Sequence, residues 1–274
     1  MIDVNRRVLP GFRLSLGYTL FYLSLLVLIP LTACFLKAAS LSVPEFWAAV
    51  WTPRARAAYA LTFGASFAAA AISVVFGLVV AWVLVRYDFP GKRVFDALVD
   101  LPFALPTAVA GLVYSGLYVK TGWLGQFLVP LGIQGAYSRL AIVLVLTFIG
   151  VPFVVRTVQP VLGDIDAEIE EAAACLGASR AQTVMRVILP SLFPAVMTGF
   201  ALAFARGLGE YGSVVFVSGN MPFKTEIAPV LIVAALEEFH YREAAAIAVV
   251  LLVASLSLLV LINFLERWSK QNGN

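Results

Sequence analysis

Six stretches of this chain are each long and apolar enough to cross a lipid bilayer. A hydrocarbon core of about 30 Å requires roughly 20 residues at about 1.5 Å rise each. The stretches run from Leu14 to Leu36, Tyr59 to Val85, Leu101 to Val119, Leu140 to Val158, Ser191 to Val217 and Ala244 to Leu265. Lipid offers the backbone no hydrogen-bond partner, so each must satisfy its own amides as a helix. The expected fold is therefore all-α and polytopic, with about six transmembrane helices and both termini on one side.

Composition supports that reading. Hydrophobic residues make up 61% of the chain and charged residues 13%, against roughly 25% charged in a soluble globular protein. This excludes a soluble enzyme, a disordered tail and a nucleic-acid-binding domain. A net charge of +3 is too small to imply a polyanionic partner. The exposed loops are too short to fold independently and no internal repeat is evident, so residues 1–274 read as a single transmembrane domain.

The basic residues choose an orientation. Eleven lysines and arginines fall in the two termini and the second and fourth loops, against seven in the other three loops. That bias predicts cytoplasmic termini. Leu31-Thr32-Ala33-Cys34 resembles a lipoprotein cleavage box and Arg6-Arg7 a twin-arginine signal. The apolar run that begins at Leu14 exceeds the 7–15 residues of a cleaved signal, so a retained first helix is expected. Cys34 falls in a span and Cys175 in a loop, too far apart to pair, and His240 is the only histidine, so no metal site is expected.

The polar exception is the loop between the fourth and fifth spans, residues 164–190. Ile165, Ile169, Ala172 and Leu176 form an amphipathic helical stripe. Asp164, Asp166 and Glu168 load its first turn, where the helix dipole favours negative charge, and Gly177 is placed to cap its end. Ser179 and Gln182 have the spacing of a capping box that starts a second helix, which Pro190 terminates or leads into the fifth span. Such a hairpin suits docking into another protein's groove; a solvated connector lying on the membrane surface has the same periodicity.

The detailed spacing resembles a known family. Glu171-Ala172-Ala173, then Gly177, then Val187 and Leu189-Pro190 resemble the EAA loop of bacterial ABC importer permeases, which usually carry isoleucine where this chain has Val187. The resemblance implies a type I ABC importer permease fold and a loop that docks on a cytoplasmic ATPase through Glu171, Ala172, Ala173, Gly177, Leu189 and Pro190. It also implies a cytoplasmic side for this loop. The chain has no G-x-x-x-x-G-K-[ST] sequence of its own. ATP and Mg are therefore expected on a partner ATPase, with no cofactor bound by this chain and no enzymatic activity in it.

Leu101–Tyr114 and Phe204–Ile232 resemble the oxyanion (sulfate/molybdate) branch of these permeases. Within it, the stretches Gly209–Asn220, Lys224–Pro229 and Leu236–Tyr241 are most similar to the T (or U) permeases of sulfate/thiosulfate importers. The partners this implies are a paralogous second permease (the W subunit), two copies of an ATPase and a periplasmic sulfate/thiosulfate-binding protein. The location implied is the bacterial inner membrane. Molybdate/tungstate permeases share part of the pattern. A secondary anion transporter or channel would also show six spans, but with no EAA loop.

Candidate anion-route residues come from charge and kinks inside the spans. Arg206 and Glu210 lie four apart within the expected fifth span, and ionisable groups at membrane depth are costly and tend to be functional. Two readings stand: Arg206 offers planar donors to a passing oxyanion, or the two charges neutralise each other and pin the helix. Pro102 and Pro106 kink the expected third span ahead of Thr107 and Gly111. That places Thr107 either on the route or at a packing bend.

Overall fold

The computed structural model describes residues 12–272, and those residues are helical with no strand among them. In chain order, α1 (Phe12–Leu23) and α2 (Ile29–Ala39) form one long run, joined by a π turn. The short helix α3 (Val43–Val50) precedes α4 (Pro53–Arg86). Three pieces follow, α5 (Lys92–Val99), α6 (Leu101–Ala104) and α7 (Thr107–Tyr118), and then the single turn α8 (Gly125–Leu128). The third long helix is α9 (Arg139–Gly163). Beyond it come α10 (Ala167–Cys175), α11 (Arg180–Thr183), α12 (Leu189–Leu208), α13 (Val214–Val217), α14 (Ala228–Glu237) and α15 (Tyr241–Asn272).

Among the described residues, five helices are long and apolar enough to span a membrane: Leu14–Ala39, Pro53–Arg86, Arg139–Gly163, Arg180–Leu208 and Tyr241–Ile262. The expected third span is not a single helix. Pro106 lacks an amide and forces Leu105 into extended backbone, so the run breaks there. The segment still returns across the layer. Arg54 at the start of α4 and Arg139 at the start of α9 both reach the 224–226 turn, so these helices begin on the same face. Residues 87–138 must therefore travel back, and their contacts rise in step: Asp100 on Arg156, Phe103 on Phe153, Tyr114 on Phe148.

The expected fifth span is shorter than its apolar run. It stops at Leu208, and the chain turns through Gly209–Ser213 before the single turn α13. A further apolar half-helix, α14, follows and was not expected from span lengths. Its first amide, on Ala228, donates to Thr62 Oγ1 on α4 at 2.8 Å.

Small residues let the central helices approach closely, as suits packing where lipid provides no hydrophobic drive between helices. Val154 on α9, fully buried, sits between two glycines. A Cβ on Gly77 of α4 would lie 2.7 Å from its side chain, and one on Gly199 of α12 would lie 2.8 Å from its Cα. The two π turns have one local cause. Ser24–Leu28 precedes Pro30, and Val184–Ile188 precedes Pro190. A proline ring clashes with the carbonyl four residues back, and an added residue in the turn moves that carbonyl aside.

Candidate functional site

The loop after α9 folds as its caps predicted, but α10 starts at Ala167, so Asp164 caps the end of α9, Ile165 packs on the core between the helices, and Glu168 and Glu170 occupy the first turn. The α10 helix ends in paired reverse bonds, Gly177 N–H to the Ala174 carbonyl at 2.9 Å and Ala178 N–H to the Ala173 carbonyl at 3.0 Å. Gly177 at φ +84° makes this possible, in a conformation that side chains resist. Ser179 and Gln182 then form a reciprocal capping box at the start of α11. The helix continues past Pro190, so the second limb of the hairpin and the fifth span are one rod.

That hairpin presents apolar groups to solvent. Leu176 is 89% exposed and Met185 66% exposed, and Ile169 is also exposed. Glu171, Ala172, Gly177 and Pro190 are exposed, while Ala173 and Leu189 are half-buried. Glu171 makes no ion pair among the described residues, whereas its neighbour Glu170 is bound to Arg86 at the end of α4. Glu171, Ala172, Leu176 and Gly177 are thus left open along one short stretch of the loop, while Ala173 and Leu189 are partly covered.

The second candidate region lies where α12 ends. Arg206 Nη1 and Glu210 Oε2 are 2.5 Å apart, but Glu210 is beyond the helix, in the turn. The two partners differ in burial: the Glu210 side chain is 2% exposed and that of Arg206 37%. The other carboxylate oxygen of Glu210 accepts from both the amide and the hydroxyl of Ser213, each at 2.9 Å. Glu210 therefore organises the turn, and Arg206 keeps donors free at its open edge.

The first residues of α7 lock into that turn. A Cβ on Gly212 would fall 2.2 Å from Thr107 Oγ1, and one on Gly111 would fall 2.4 Å from the Ser213 carbonyl. Two chain breaks, at Leu105-Pro106 and Gly209–Ser213, face each other across van der Waals distance. Thr107 lies against Gly212, two residues from Glu210, so the residues chosen separately from two spans meet at one discontinuity.

Other charged groups prove to be structural ties. Arg156, within the expected fourth span, lies inside α9 and binds Asp96 at 2.7 Å and Asp100 at 2.7 Å. Gln159 donates to Asp96, and this bond with the Arg156 guanidinium holds the Asp96 carboxyl below its ordinary range. The four-residue spacing of Asp96 and Asp100 on one helical face was a legible hint. Arg54 grips Glu226 with two bonds of 2.8 and 2.6 Å, and Arg139 donates to the Lys224 carbonyl at 2.8 Å. No local pattern pairs residues 172 positions apart. His240 is exposed beside Glu238 and Glu243.

Residues 73–272 match the family described as binding-protein-dependent transport system inner membrane component. The sulfate transport system permease protein CysT of Synechococcus elongatus is 53% identical over 260 residues, covering 94% of each chain. CysT of Escherichia coli is 48% identical over 262 residues, covering 96% of this chain and 95% of that one. A bacterial alginate ABC transporter chain shares the fold at a TM-score of 0.77 and 17% identity, over 93% of both chains. A chain of the MetNI methionine ABC transporter aligns at a TM-score of 0.54 and 20% identity, over 83% of this chain and 96% of that one. With its hairpin after α9 exposed and its two broken helices interlocked, the chain belongs to the family of binding-protein-dependent transport system inner membrane components, the permeases of ABC importers.

Proposed function

We propose that this chain is one permease subunit of an ATP-driven importer that moves sulfate, and thiosulfate by the same route, from a periplasmic binding protein into the cytoplasm. The observation that carries the cargo is identity near one half, over more than nine-tenths of the chain, to permeases named for sulfate transport. The second permease is a paralogue, the W subunit, and two ATPase copies bind ATP and Mg beneath the pair. The termini are cytoplasmic. The basic-residue bias supports this, as does the placement of Arg86 beside the ATPase-docking loop.

The residues divide into a docking surface and a conduit. Glu171, Ala172, Ala173 and Gly177, with Leu189 and Pro190 behind them, meet the ATPase. Exposed Leu176 gives that contact apolar area, and Glu171 gives it an unpaired charge. In the conduit, a divalent oxyanion leaving the binding protein meets the open edge of Arg206, whose charge Glu210 offsets. Partial neutralisation keeps binding weak, as a conduit requires if the ion is to leave again. Thr107 contributes a hydroxyl at the facing break.

Reconstituted assembly in proteoliposomes tests the reading. Labelled sulfate should enter only with ATP, the binding protein and the ATPase present, and unlabelled thiosulfate should compete. Uptake by this chain alone without ATP would sink the permease reading. Stronger competition by molybdate or tungstate than by thiosulfate would reassign the cargo within the oxyanion branch.

A further inference from the structure

The docking segment is joined by its backbone to α9 at one end and, through Gly177 and the π turn, to α12 at the other. The π-turn limb meets α4 by apolar packing, Val184 and Ile188 lying in one cluster with Ala81 and Leu84, but α10 itself takes no part in that cluster. No residue of α10 is buried, and none of its described backbone hydrogen bonds goes to α4. An ion pair crosses the gap: Nη2 of Arg86, the last residue of α4, donates to Glu170 Oε1 on α10.

Three features distinguish this pair from a static brace. The guanidinium lies over the Trp82 ring, 5.7 Å from its centroid, which fixes the direction in which Arg86 leaves α4. Its Nε is buried without an acceptor. The rest of the side chain lines a hollow of about 530 Å³, together with Tyr87, Glu171 and Arg180 among others. A buried donor left unused beside open space marks a contact with room to change its geometry.

We infer that Arg86 is a positioning residue of the transport cycle, carrying displacement of the docking helix into the second crossing. This rests on the permease reading above. Glu170 and Glu171 share the work because successive helical residues point about 100° apart. Glu170 turns back to Arg86, and Glu171 faces outward. A push on α10 then reaches α4 through the ion pair, as well as α9 and α12 through the chain. The pair is charge-assisted and therefore directional, so it holds through each cycle while the partly solvated guanidinium re-aims beside the hollow.

The test uses the complete assembly in proteoliposomes with Arg86→Gln, Glu170→Gln, Arg86→Lys and the exchange Arg86→Glu with Glu170→Arg. ATP hydrolysis and labelled-sulfate uptake are measured on the same vesicles. The two glutamine variants should assemble normally and hydrolyse ATP within about twofold of wild type, while uptake per ATP falls about tenfold. The lysine variant should fall between, and the exchange should recover part of the loss. Unchanged uptake per ATP in both glutamine variants overturns the inference, as does a parallel fall of hydrolysis and uptake, or no recovery in an assembled exchange variant. A second measurement needs no cargo. Spin labels on Cys175 and Tyr87→Cys, in a Cys34→Ser background, should keep a constant distance through the ATP cycle, and that distance should vary once Arg86→Gln is added. Identical behaviour with and without Arg86→Gln rejects the tether whatever anion is carried.

Discussion

Arg156 and Asp100 meet through two parallel bonds, Nε to Oδ1 at 2.8 Å and Nη2 to Oδ2 at 2.7 Å. The same guanidinium holds Asp96 and Gln159, so one α9 side chain secures the leg that leads into the broken third crossing. That leg needs the tie, because α5 buries no residue of its own. Arg156→Leu should lower stability by about 1–2 kcal/mol, a range reduced for the partial exposure of all three charges. Asp100→Asn should lower it less, since Asp96 still answers the guanidinium. Thermal unfolding in detergent checks both.

The same cluster predicts a pH dependence. Gln159 and Arg156 depress the Asp96 carboxyl, so its contribution is complete above the unfolded value of about 4 and is lost as pH falls through the lower folded value. The melting temperature should therefore drop below about pH 4. Asp96→Asn should start lower at neutral pH and show a shallower acid slope. An unchanged slope in that variant would remove Asp96 from the account.

At the end of α12 the two charges should not be equivalent. Glu210→Ala strips the Ser213 turn of its acceptor and leaves Arg206 without its counter-charge, a loss of about 3 kcal/mol. Arg206→Gln should cost about 2 kcal/mol, because glutamine can still donate to Glu210 but leaves its buried charge without a counter-ion. If Arg206→Gln left sulfate uptake unchanged as well, Arg206 would be a pin with no part in the anion route.

The interlocked breaks give a double-mutant test. Gly212→Ala collides with a side-chain oxygen on Thr107, and Gly111→Ala collides with the Ser213 backbone. Each should destabilise by about 1–3 kcal/mol. Thr107→Ala should rescue much of the first and little of the second, a difference read as a coupling energy in unfolding experiments.

Gly177 offers a milder prediction. Nothing lies within 4 Å of a Cβ added there, so only its positive φ resists substitution. Gly177→Asn should cost less than Gly177→Val, with the latter near 1–2 kcal/mol of local strain. The effect should show as slower ATP hydrolysis by the assembly, with the melting temperature of this chain little changed.

Some features were readable from local chemistry alone. The cap at Gly177 and the box at Ser179–Gln182 depend on residues three to five positions apart, and both form as spaced. The long apolar runs also became helices, because lipid leaves a backbone few other ways to satisfy its amides. Where these rules went astray, hydropathy could not see the break. Thr107–Tyr118 and Val214–Val217 are as apolar as a continuous span, yet Pro106 and the Gly209–Ser213 turn divide them.

The sequence by itself determined that this is a helical membrane protein with a charged, capped hairpin between its fourth and fifth spans. Periodicity, capping and apolar length are properties of neighbours along the chain. Only the tertiary structure decided which partner each charge would find. Arg54 meets Glu226, Arg156 meets Asp96 and Asp100, and of the adjacent carboxylates in the loop after α9 Glu170 turns to Arg86 while Glu171 makes no ion pair among the described residues. Those choices depend on the rotation and depth at which α4, α9 and α12 pack. Small residues spread over distant segments set that packing, and no local pattern encodes it.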